Sequence, residues 1–203
     1  SYELVFHDQT EVAFCGKDSE TLRMMRDTLT CSYYHISLTN DVIGLESAVA
    51  LKNAYALGVA LTIGLVNRNL GADAGLHYNS QAAAFYQAVK EMRRLLAIQG
   101  ADFDCENIGI GDLYVTVYGG RTRKIGILLG EGKTYDEAME ILAGVTLESL
   151  VVARRVAKAI YRKAELGQVE LKDFPMLVHV ENILEKGADA QHPWEAYTFD
   201  NTK

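Results

Sequence analysis

Lys52 and Asn53 are the residues of this chain best placed to do chemistry, because they set one cation and one amide inside an otherwise apolar stretch. From Val42 to Val66 the apolar side chains fall on every face of a helical wheel, which predicts a helix buried all round. An ammonium is costly to desolvate without a partner. Lys52 therefore reads in one of two ways. Its stem packs while its charge reaches water, or it stands on the wall of a site and exchanges a proton with a substrate. Asp112 follows Gly109-Ile110-Gly111, which reads as a tight turn able to bring a carboxylate against a neighbouring helix and so against Lys52. A cap on the following helix is the equal alternative for Asp112. Gly119-Gly120-Arg121-Thr122-Arg123-Lys124 places flexible backbone ahead of a helix start, where free N–H groups and the helix dipole favour an anion. Arg121 adds a fork that fits phosphate or carboxylate. The same pattern also suits a plain turn with a solvated first turn. A second basic set, Arg154, Arg155, Lys158, Arg162 and Lys163, reads as a solvated helix face.

The elements that must position these residues are mostly helical. Residues 1–38 differ from the rest: Glu11–Cys15 and Ser32–Ser37 read as strands, and Asp18 caps a helix reaching about Leu29. Two strands alone are marginally stable, so this β-α-β piece must lean on the helices or on further sheet. After the long apolar helix comes a loop over Asn67–Tyr78. A helix capped by Asn79-Ser80 then presents Ala82, Phe85, Tyr86, Val89, Met92 and Leu96 on one face and stops at Gly100. A helix starts near Arg121 and ends by Gly130 to Gly132. Thr134-Tyr-Asp-Glu137 fits a capping box. Two more helices are predicted from about Thr146 to Leu166 and from Asp173 to Gly187, the last with Pro175 in its first turn. The tail, Ala188 to Lys203, has no clear periodicity. Gly44, Gly58 and Gly64 each cost the long helix about 1 kcal/mol relative to Ala, so with its many alanines they predict close approach by other helices to a central helix.

Composition limits the functions open to the chain. It has 203 residues, 49% apolar and 23% charged, enough for a sizeable core. The net charge of −7 argues against a nucleic-acid partner, which needs a clustered basic surface. Cys15, Cys31 and Cys105 are odd in number and lack CxxC spacing, so reduced thiols are expected. The five histidines are scattered, and no metal site is expected. The longest nearly uncharged apolar run, Ala54 to Val66, is too short to cross a bilayer, and the opening residues carry no signal-peptide pattern. Both observations predict a cytoplasmic protein without a membrane span.

Four ordered motifs add a resemblance. Asp41-Val-Ile-Gly-Leu-Glu46 leading to Ala50-Leu-Lys52-Asn53, then Asn79-Ser-Gln-Ala-Ala83, Gly111-Asp-Leu-Tyr-Val-Thr116 and Tyr118-Gly-Gly-Arg-Thr-Arg-Lys124 together resemble the NAD-dependent glycerol-3-phosphate dehydrogenase family. The likeness spans roughly Thr10 to Gly187 and matches the substrate domain. It implies a mainly α fold, an all-helical bundle of the 6-phosphogluconate-dehydrogenase C-terminal type over 39–203, preceded by a β-α-β remnant of a dinucleotide-binding domain over 1–38. It implies Lys52 as the catalytic acid/base with Asp112 as its acidic partner. Asn53, Thr116, Arg121 and Thr122 would contact a small phosphorylated substrate, dihydroxyacetone phosphate or glycerol 3-phosphate. Arg121 and Glu148 would touch NAD or NADP. The sequence departs from the family at Thr122, where Asn is usual, at Ser149 and Val152, where Gly and Thr are common, and in the 67–78 loop. No strand followed by G-x-G-x-x-G occurs. The chain is therefore expected to be a fragment that lacks most of the NAD site and is inactive alone, while apolar helices without a covering domain predict a homodimer. Two other readings stay open: a related dehydrogenase for another small anion, and a non-catalytic helical module for dimerisation or ligand binding.

Overall fold

A computed structural model describes residues 3–143, 148–200 and 202, the side chain of Glu148 excepted. The chain begins with a β-α-β unit. Strand β1 (Thr10–Cys15) pairs in parallel with β2 (Tyr34–Thr39), Thr10 opposite Tyr34 and Cys15 opposite Thr39. Helix α1 (Ser19–Leu29) connects them. Its cap is the expected Asp18, which accepts from the Glu20 N–H at 3.1 Å. Both strands lie close to their predicted positions, with β2 displaced two residues toward the C-terminus. Cys15, Cys31 and Cys105 are free thiols.

Helix α2 (Val42–Leu70) is the axis of the rest, and α3 (Tyr78–Gln99), α4 (Phe103–Tyr118), α5 (Gly120–Gly130), α7 (Glu148–Glu165) and α8 (Pro175–Lys186) all pack against it. Every residue from Ala54 to Leu65 is buried, as the apolar wheel requires. The helix runs four residues beyond Val66, into what the sequence suggested was loop. At that length and mean hydropathy, 1.6 over its most apolar window, it could span a bilayer, but 67% of that window is buried against the other helices. It is a core helix. Glycine allows the closest crossing. A Cβ on Gly64 would lie 2.1 Å from the Ile127 carbonyl oxygen of α5, and one on Gly130 would lie 2.4 Å from the Leu61 carbonyl oxygen of α2. Gly58 accommodates Met176 of α8 in the same way. Gly44 differs from expectation: its missing side chain makes room for the Asp41 carboxylate, which caps α2 through the Gly44 N–H at 2.8 Å and also accepts from the Asp102 N–H at 2.8 Å.

Three sequence readings differ from the structure. Gly109-Ile110-Gly111 is not a turn but lies within α4, where Gly109 lets the helix settle on Ala48. Asp112 is thus a mid-helix residue rather than a cap. The buried stripe of α3 is rotated from the predicted one: Ala82 and Tyr86 are exposed, while Gln81, Gln87 and Glu91 are buried with Ala84, Ala88, Met92, Leu95 and Leu96. His77 rather than Asn79-Ser80 stands at the cap position, and Gly100 closes the helix in the left-handed conformation at φ 73°.

Glu91 explains the rotation. Its fully buried carboxylate accepts from the Met176 and Leu177 N–H groups at 2.7 and 3.0 Å, from Gln87 at 2.6 Å and from the Tyr55 hydroxyl at 3.1 Å. A carboxylate from α3 therefore caps α8, where free N–H groups and the dipole favour negative charge. The Thr134 capping box forms as predicted and starts α6 (Tyr135–Ile141). The start expected for α7 near Thr146 lies outside the described residues. The aperiodic tail is nonetheless packed. Short α9 (Trp194–Tyr197) turns Tyr197 inward, His192 is 3% exposed, and Arg68 of α2 pairs with Asp189 at 2.9 Å.

Candidate active site

Of the predicted site residues, Lys52, Asn53, Asp112, Thr116, Arg121 and Thr122 line one cleft of about 430 Å³, together with Val115, Gly119, Gly120 and Ser149. Four elements build it. Successive positions of α2 carry Lys52 and Asn53, one helical turn of α4 carries Asp112 and Thr116, the α4–α5 junction carries Gly119 to Thr122, and α7 carries Ser149. A second, shallower hollow at Arg26, Asp27, Thr30, His35 and Ile36 contains none of the predicted residues.

Lys52 and Asp112, sixty positions apart in sequence, form a direct ion pair. The Lys52 side chain is 18% exposed, so its stem is buried and its ammonium faces the cleft beside its counter-ion. This arrangement answers the question posed by a cation in an apolar helix, since a mostly desolvated charge is tolerated when paired. Asp112 reaches Lys52 because α4 crosses α2 closely at Gly109, one turn earlier. Thr116, which also lines the cleft, donates its hydroxyl proton to the Asp112 backbone carbonyl at 2.7 Å and keeps its oxygen free to accept.

The other end is built for negative charge. Helix α5 begins at Gly120 without any side-chain cap, and Gly120 itself adopts φ 81°, a conformation strained for other residues. The first N–H groups of α5 thus remain available to a ligand. Arg121 is exposed at the rim and Thr122 is buried below it. Glu148 is the first described residue of α7, and its side chain lies outside the described residues. Val115 and Ser149 are lining residues that the motifs did not single out as contacts.

The family profile described as the NAD-dependent glycerol-3-phosphate dehydrogenase C-terminus matches residues 41–195. The chain belongs to that glycerol-3-phosphate dehydrogenase family. It is 33% identical over 196 residues to the NADP(+)-dependent glycerol-3-phosphate dehydrogenase of Archaeoglobus fulgidus, covering 94% of this chain and 55% of that protein. It is 27% identical over 198 residues to the glycerol-3-phosphate dehydrogenase [NAD(P)+] of Thermoanaerobacter sp., covering 96% and 54%. A crystal structure of glycerol-3-phosphate dehydrogenase from Coxiella burnetii superposes with TM-score 0.75 at 25% identity, over 96% of this chain and 55% of that one. The chain thus spans about half the length of the curated relatives it matches. The mainly α architecture is that of the glycerol-3-phosphate dehydrogenase C-terminal domain.

Proposed function

We propose that this chain is the substrate-binding part of a glycerol-3-phosphate dehydrogenase, interconverting dihydroxyacetone phosphate and glycerol 3-phosphate with NAD(H) or NADP(H). The observation that carries this reading is the Lys52–Asp112 pair in the same cleft as the uncapped start of α5. Reduction of a ketone delivers hydride to carbon and leaves charge on oxygen. The Lys52 ammonium gives that oxygen a proton, and in the reverse direction the neutral amine takes it from the alcohol. Asp112 holds the ammonium in place. Arg121 and the α5 N–H groups bind the phosphate and so orient the reacting carbon, with Asn53, Thr116 and Thr122 contacting the substrate.

When bound, NADH or NADPH supplies the hydride. The uncapped α5 start and the Arg121 guanidinium are donors that suit its anionic groups, and Arg121 and Glu148 are the contributions of this chain. The β1-α1-β2 unit, whose two parallel strands are the sheet among the described residues, supports reading residues 1–38 as the end of a dinucleotide-binding domain and 39–203 as the substrate domain. Exposed Phe103, Tyr114, Val115 and Tyr118 on α4 support a homodimer or a covering domain. A cytoplasmic setting belongs to the same reading.

The test is oxidation of NADH or NADPH dependent on dihydroxyacetone phosphate, using the full natural reading frame beside its Lys52→Ala variant. Turnover that disappears in the variant supports the assignment. A folded protein with an intact cofactor domain and no turnover refutes this substrate.

A further inference from the structure

We infer that Ser149 is a further ligand-binding residue of the cleft, its hydroxyl donating to the anionic end of the bound molecule. The inference rests on the proposed reading of the cleft as a phosphorylated-substrate site. Ser149 lines the cleft, is 1% exposed, and its Oγ is buried with no hydrogen-bond partner. A hydroxyl removed from water and left unpaired is unfavourable, and native proteins keep few such groups outside functional sites. Here the missing partner is the ligand. A serine hydroxyl swings among three staggered χ1 positions, so one acceptor oxygen at the floor of the cleft is enough to engage it.

The choice between the two ends of the ligand follows from the surroundings. The Lys52 ammonium and Asp112 carboxylate already satisfy one another at the reacting end. Ser149 instead lies at the near end of the described part of α7 (Glu148–Glu165) and lines the same cleft as the uncapped start of α5 and the exposed Arg121 guanidinium. The uncapped start of α5, an arginine and an unused O–H donor select an oxyanion. Thr122, buried at 8% exposure and lining the same cleft, adds a second hydroxyl to that wall.

The decisive experiment titrates the isotopically labelled chain by NMR with sn-glycerol 3-phosphate and, separately, with inorganic phosphate. It compares the unsubstituted protein with Ser149→Ala, Ser149→Thr and Arg121→Ala. Ser149→Ala is expected to weaken both probes by a similar factor, about fivefold to tenfold. Its melting temperature without ligand should stay level or rise, because an unpaired buried hydroxyl has been removed. Ser149→Thr, which keeps the hydroxyl, should retain more affinity than Ser149→Ala. Unchanged affinity for both probes in Ser149→Ala, while Arg121→Ala loses them, overturns the role of Ser149 and leaves the proposed function standing. A loss confined to glycerol 3-phosphate overturns the assignment to the anionic end. Binding of neither probe by the unsubstituted chain overturns both the inference and the function on which it rests.

Discussion

At the scale of single residues, the site divides its work between proton transfer and anchoring, and the two kinds of substitution should separate in kinetics. Lys52→Ala in the full reading frame is expected to lower kcat by about 10²- to 10⁴-fold, the usual contribution of a positioned acid or base. Asp112→Asn keeps the shape but removes the counter-ion, so it should also act on kcat. Arg121→Ala should act mainly on KM. Losing a hydrogen bond to a charged group costs about 1.5–3 kcal/mol, which is roughly a 10- to 150-fold rise. Steady-state kinetics on the three variants checks this division, and an Arg121→Ala enzyme with unchanged KM would remove the phosphate role. Lys52 was legible in sequence because an apolar helix leaves a cation conspicuous. Its pairing with Asp112 was open, because a contact across sixty positions depends on how α4 crosses α2. Ser149 was noticed only as a departure, since nothing in its local sequence shows that its hydroxyl is both buried and unpaired.

At the scale of elements, helix crossings determine which glycines matter. Gly64→Ala forces a Cβ to within 2.1 Å of backbone oxygen on α5, which side-chain rotation cannot relieve. It should destabilise the fold by about 3 kcal/mol or more, measured as the urea midpoint. Gly111→Ala is the contrast: the position is exposed, lies within α4 and has open space around it. That substitution should stabilise by about 0.5–1 kcal/mol through helix propensity. Similar losses in the two variants would mean that crowding does not govern the α2–α5 contact. Most of the helices were legible from periodicity, caps and stops, including the Thr134 capping box and the Gly100 terminator, but α4 and α9 were not. Gly109-x-Gly111 was misread because the same glycines serve a tight turn or a close crossing, and only a neighbour such as Ala48 distinguishes them. The α3 stripe was misread because a buried Glu91 defeats an apolar pattern. Its reason lies on another helix, whose N–H groups it caps.

At the scale of the whole molecule, two buried groups around α8 titrate in opposite senses. Burial pushes the Glu91 carboxyl from 4.5 up to about 7, against the pull of its four donors. Between those values the folded chain holds a proton that the unfolded chain has lost. Its contribution to stability is therefore full below about pH 4.5 and disappears as pH rises through 7. Burial, aided by the charge of His179, depresses His192 from 6.5 to about 3. That contribution is present above pH 6.5 and is lost as pH falls toward 3, because the unfolded chain takes a proton the folded one refuses. His179, also lowered by burial, acts in the same direction as His192. Between pH 4.5 and 6.5 the slopes of Glu91 and His192 oppose each other, each approaching about 1.4 kcal/mol per pH unit. In the unsubstituted chain Glu91 should therefore offset part of the stability that His192 and His179 lose as pH falls across that range. Glu91→Gln removes one side of the balance while keeping much of the hydrogen bonding, so its urea midpoint should fall between pH 7.5 and pH 5. His192→Gln removes the other side, and its midpoint should rise over the same interval. Comparing variants cancels the background titration of the remaining carboxylates, which lie at separate positions. Parallel curves for Glu91→Gln and the unsubstituted chain would mean that Glu91 stays ionised at every pH tested. The α8 cap would then be a permanent charge rather than a titrating one.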